Sequence, residues 1–116
     1  MLILAACLFA AAALGGLFMA TRIFAKKEVP LVVALLHGAA AAAGLTTLVI
    51  AVSSSGGFGR PGLSLCVLGA AALGGFYLFS FHLRKREWPT PVVAVHAIVA
   101  VTGLAILLYA ILSSAS

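Results

Sequence analysis

The chain has 116 residues, 65% of them hydrophobic and only 8% charged, with a formal net charge of +5. Soluble globular domains carry about a quarter charged residues, so a water-exposed globule is excluded. The seven basic residues are few and gathered at chain turns rather than on one solvated face, which excludes a nucleic-acid-binding surface.

Apolar runs of about 20 residues cross a bilayer as helices, and four such runs fill the sequence at roughly 2–24, 30–53, 61–83 and 89–112. The first opens with MLILAAC, which looks like a lipoprotein signal ending at Cys7. It lacks a charged start, and its apolar stretch before the cysteine is too short, so it is expected to be the outer half of the first span. Arg22, Lys26 and Lys27 follow, and Glu28 and Pro30 introduce the second run. A stretch rich in Ser and Gly with one cation, Arg60, leads to the third. Arg84, Lys85 and Arg86 then lie before Glu87, Pro89 and the fourth. Basic residues mark cytoplasmic loops. The reading is therefore a multi-pass protein of a bacterial inner membrane, with both termini and the Ser/Gly loop on the periplasmic side.

An internal repeat constrains the architecture further. Shifting the sequence by 59 positions aligns Cys7 with Cys66, Gly15 and Gly16 with Gly74 and Gly75, Glu28 with Glu87, Pro30 with Pro89, His37 with His96 and Gly44 with Gly103. The units cover about 7–52 and 66–111, two spans each. An even number of spans per unit predicts a pseudo-twofold axis along the membrane normal. The expected fold is an all-α integral membrane protein, residues 1–116 forming one domain. It is an up-down-up-down four-helix bundle built from a duplicated helical hairpin, with the second span diagonal to the fourth. Each proline opens a helix where its missing N–H costs nothing, and Glu28 and Glu87 sit near the positive end of the helix dipole. Helix starts at an interface are the expected role for both, with a catalytic or proton-carrying role as the alternative.

His37 follows Lys27 by ten residues, about 15 Å along a helix and well inside the hydrocarbon. An ionisable side chain at that depth faces the bundle interior and is by default functional. His96 has the same depth through the repeat. Diagonal axes in such a bundle lie about 11–14 Å apart, too far for the rings to hydrogen-bond directly. That span suits one metal-centred macrocycle held by a nitrogen from each side. Ala40, Ala41 and Gly44 share the face of His37, as Val99, Ala100 and Gly103 share that of His96, and these small residues leave room for a flat ligand. Gly15, Gly16, Gly74 and Gly75 lie at nearly the same depth, where a missing side chain admits a close neighbour.

Histidines on the second and fourth spans with paired glycines on the first and third resemble the haem-binding bundle of b-type cytochromes, the cytochrome b subunit above all. The stretch GGFYLFSFHLRKR is also similar to uncharacterised small bacterial four-span membrane proteins. The cytochrome resemblance implies haem b, with His37 and His96 as the axial ligands of its iron. One histidine per ligand helix implies a single haem. Its propionates would face the basic loops, within reach of Arg22, Lys26, Lys27, Arg84 and Lys85, and the four glycines would border the ring. Two imidazoles fill both axial positions of haem iron, which implies electron transfer, exchanged with a quinone or a partner complex.

Three readings of the histidines stay open: haem ligation, interhelical hydrogen bonding between packed helices, and a proton or ion pathway. The haem reading makes the chain an electron carrier, not a complete enzyme. The rival is a cofactor-free accessory subunit docked in the bilayer on a larger membrane complex or on copies of itself. Cys7 and Cys66 are expected to be small buried hydrophobes, or a bridge between subunits. His82, with no counterpart in the first unit, reads as an interfacial anchor.

Overall fold

A computed structural model describes residues 1–115, and the chain is helical almost throughout: α1 (Leu2–Phe24), α2 (Leu31–Ser54), α3 (Gly59–Leu83) and α4 (Thr90–Ala115). All four helices are long and apolar enough to cross a membrane. In hydrocarbon every backbone polar group must find a partner within its own segment, which a helix provides. The hydroxyls obey the same rule. Thr46, Thr47, Ser53, Ser54 and Thr102 each donate to the carbonyl one turn back.

The start of the second helix differs from expectation by one step. Pro30 is not the first helical residue but the cap, with an extended backbone at ψ 134°. Its carbonyl accepts from the amides of Val33 and Ala34, as that of Pro89 accepts from Val92 and Val93. The ends of α1 and α3 are also alike. Lys26 donates its amide to the Ile23 carbonyl and Lys27 to that of Arg22. In the later hairpin Lys85 bonds His82 and Arg86 bonds Phe81 in the same way. This is the Schellman arrangement, which places one residue in the left-handed region and favours glycine there. Here the residues are lysines, at φ 58° and 54°. Lys26→Gly is therefore expected to stabilise the fold by about 1 kcal/mol. Unfolding in mixed detergent micelles checks this, with Lys27→Gly as the control that gains nothing.

Each helix packs on its two neighbours in chain order, α1 also touching α4, so the bundle closes as a ring 44 × 20 × 18 Å in extent. The α1–α2 and α3–α4 contacts are the extensive ones, and the contacts between hairpins are thinner. Buried apolar side chains form two separate groups. One lies toward the Ser/Gly loop and contains Ala5, Ala6, Phe9, Leu48, Leu68 and Leu107. The other lies toward the basic loops and contains Ile23, Val29, Leu78 and Val93. The outer faces stay apolar, with Leu14 and Leu73 at 72% and 71% exposure. A helix apolar all round suits lipid or a large core.

Candidate functional site

Between the two apolar groups lies a layer of small residues and two imidazoles. His37 and His96 enter it from α2 and α4 with ring centroids 6.4 Å apart and planes at 77°. The other helices meet them with glycine. A Cβ on Gly16 would lie 3.0 Å from Cε1 of His37, and one on Gly75 would lie 3.2 Å from Cε1 of His96. Each ring thus rests on the bare backbone of the preceding helix. The neighbouring glycines are less constrained, since a Cβ on Gly15 or Gly74 would meet its histidine at 3.5 or 3.6 Å, an ordinary contact.

That close seat has a chemical result. Nδ1 of His37 lies 2.6 Å from the carbonyl oxygen of Ala12. A carbonyl only accepts, so Nδ1 carries the proton and the Nε2 lone pair is free for another partner. The Ala12 carbonyl stands one helical turn before Gly16, where a side chain would crowd the ring that reaches it. At the matching place in the other hairpin, Nδ1 of His96 is buried with no hydrogen-bond partner. It faces the backbone of Ala71, outside good hydrogen-bond geometry.

The space expected beside Gly44 and Gly103 is filled. The Phe9 ring lies where a Cβ on Gly44 would come within 3.0 Å, and Leu68 lies 2.6 Å from such an atom on Gly103. These glycines admit a side chain from the next helix, so the small-residue layer ends one to two turns from the histidines toward the Ser/Gly loop. Among the described residues no third His, Cys, Asp or Glu joins the pair to make a group of three.

The cations stand at the ends of α1 and α3. Arg22 donates from Nε to the Glu28 carbonyl and lies over the Phe18 ring. Arg84 donates to the carbonyl and hydroxyl of Ser80 and lies over Phe81. Lys26 and Lys85 are exposed. His82 is stacked on Phe79 at 6.0 Å and leans on Trp88 at 5.4 Å, an aromatic cluster at that end. Cys7 and Cys66 correct the expectation of burial. Both are exposed free thiols, because residues on all-apolar helices give no sign of which face turns inward. Sequence reasoning also missed the carbonyls of Ala12 and Ala71. A backbone acceptor has no residue type to betray it, although a glycine one turn later is a usable signal. No family model, no curated protein and no solved structure matches the chain.

Proposed function

We propose that the chain is a membrane electron-transfer subunit in which His37 and His96 hold one haem b between them. The observation that carries this reading is the ring separation of 6.4 Å. Imidazole nitrogens are common axial ligands of haem iron, and His37 and His96 are the pair that would hold it. The tautomer of His37 adds support, since it leaves Nε2 as the donor atom. Bound haem supplies one-electron redox chemistry. The residues hold the ligand nitrogens in place, and the apolar groups on either side exclude water. Arg22, Lys26, Lys27, Arg84 and Lys85 gather positive charge at one end, where propionates find partners. Gly15, Gly16, Gly74 and Gly75 keep side chains out of the layer.

Around this site the reading is a duplicated hairpin in a bacterial inner membrane, with basic loops inside and both termini outside. It exchanges electrons with a quinone or a partner complex. The recurrence of the helix ends, the histidine seats and the filled glycines at an offset of 59 residues supports the duplication. A reduced-minus-oxidised absorption spectrum of haem-supplied protein in detergent, with a pyridine haemochrome count, is the test. A b-type spectrum at about one haem per chain is expected, and a blank spectrum from folded protein sinks the reading. One observation favours the rival, a cofactor-free accessory subunit. Phe9 and Leu68 fill the glycine gaps as in ordinary tight helix packing, and a colourless, well-folded protein is its signature.

A further inference from the structure

We propose that Arg60 and the groove around it hold the phosphodiester of a lipid headgroup at the Ser/Gly-loop end of the bundle. The inference rests on the membrane reading above and is independent of the haem. The groove has a volume of about 270 Å³ and is lined by Leu2, Arg60, Pro61, Ala110, Ser113 and Ser114. It opens where the starts of α1 and α3 meet the end of α4. Arg60 reaches across it to α4, donating from a terminal nitrogen to the Ser113 hydroxyl at 3.2 Å. Its guanidinium also lies over the Tyr109 ring, 4.6 Å from the centroid. The side chain is exposed, yet these two contacts hold its plane in place.

Charge gives the reason for an anion. The only acidic side chains, Glu28 and Glu87, lie at the other end of the bundle with the remaining six cations. The 25 residues of α3 separate Arg60 from that end. At helical rise this is about 37 Å, against a screening length of about 8–10 Å in salt solution. No acidic side chain therefore neutralises Arg60. Basic side chains near helix ends reach for the membrane interface, where lipid phosphates lie. A guanidinium has five N–H donors and binds phosphate oxygens through two of them in parallel. Ser113 and Ser114 already donate their hydroxyls to the carbonyls of Ala110 and Ile111, so binding turns on the guanidinium. Leu2, Pro61 and Ala110 make the rest of the wall apolar, which suits the glycerol and first chain carbons better than a hydrated free anion. Pockets for drug-sized ligands run to about 300–1,000 Å³. This smaller groove fits a headgroup whose acyl chains run along the apolar outer faces.

The test titrates phosphatidylglycerol into the full chain in an uncharged detergent and counts bound lipids by native mass spectrometry. One lipid per chain is expected to bind more tightly than any further ones. Arg60→Gln should bind it at least about tenfold more weakly, the usual worth of a hydrogen bond to a charged group. Arg86→Gln, at the basic end, should keep the tight site. Arg60→Lys, which retains the charge without the planar fork, should fall between. Equal loss in Arg60→Gln and Arg86→Gln, or loss in neither, overturns the proposal. Wild type that binds phosphate-free diacylglycerol as tightly as phosphatidylglycerol overturns it as well, and needs no variant to fold. Inorganic phosphate in large excess should leave the lipid in place, and displacement would assign the groove to a soluble anion instead. A chain that stays folded and dispersed without detergent fails at the earlier step and removes the membrane reading itself.

Discussion

Gly16→Val is expected to destabilise the protein by about 2–3 kcal/mol, whether or not a cofactor is bound. A Cβ alone would stand 3.0 Å from the His37 ring, and valine adds two methyl groups in a direction where the next atoms belong to the imidazole. Overpacking of a tight site costs about 1–3 kcal/mol. The displaced ring also gives up its bond to Ala12, about 1 kcal/mol net. Gly15→Ala, one residue away, should stay within about 0.5 kcal/mol of wild type, because its Cβ meets His37 at an ordinary 3.5 Å and alanine favours the helix. The cause is isolated by pairing Gly16→Val with His37→Ala. If the imidazole is what the valine strikes, the double variant recovers most of the loss, a coupling of about 1–2 kcal/mol in a double-mutant cycle. Additive losses in detergent unfolding would place the damage in the helix backbone instead and remove the histidine seat from the account.

The glycine pairs show how far sequence reaches into this protein. The four helices follow from runs of apolar residues, and the observed ends agree with the expected ones to within a few residues, α4 running to Ala115 rather than stopping near 112. Run length and loop charge are properties of the chain itself, so they are legible. The place of His37 and His96 along α2 and α4 is legible for the same reason, since helical rise converts position into distance. What a helix face meets is a property of its neighbours. Gly44 and Gly103 share the histidine face by periodicity, and nothing in that periodicity announces that Phe9 and Leu68 arrive from α1 and α3 to fill them. The equivalent glycines of a pair separate for the same reason, Gly16 being tightly occupied and Gly15 loosely. The exposed thiols of Cys7 and Cys66 belong here too, because helices that are apolar on every side carry no inward stripe.

Between helices long and apolar enough for lipid, where there is no hydrophobic drive, close packing and hydrogen bonds would hold the bundle. A bundle with tight hairpins and thinner contacts between them is held in its middle by whatever the two imidazoles touch. In the first hairpin that touch is complete, ring on glycine and N–H on carbonyl. In the second it is incomplete by one hydrogen bond. A ligand bridging both rings would tie together the two hairpins, whose mutual contacts are the thinner ones, so haem-loaded protein should resist unfolding more than haem-free protein does.

Gly103→Ala carries the other large effect and acts on the second hairpin. The added methyl would lie 2.6 Å from Cγ of Leu68 and 3.2 Å from its backbone nitrogen. The side chain of leucine has other rotamers, but the nitrogen belongs to α3 and moves only with the helix. The substitution therefore pushes α3 off α4, at a cost of about 2–3 kcal/mol at the upper end of overpacking. Gly44→Ala places its methyl 3.0 Å from the Phe9 ring, with only ring atoms as its nearest neighbours. A ring can swing without moving its helix, so this loss should stay below about 1 kcal/mol. The contrast extends to the histidines. Moving α3 away carries the Ala71 backbone further from His96, while Gly44→Ala leaves the His37–Ala12 bond in place. Unfolding in mixed micelles reads the energies, and ring-nitrogen NMR shifts read the bonds. Equal losses at the two glycines would mean that α3 yields as easily as a side chain does, and that the α3–α4 contact does not set the seat of His96.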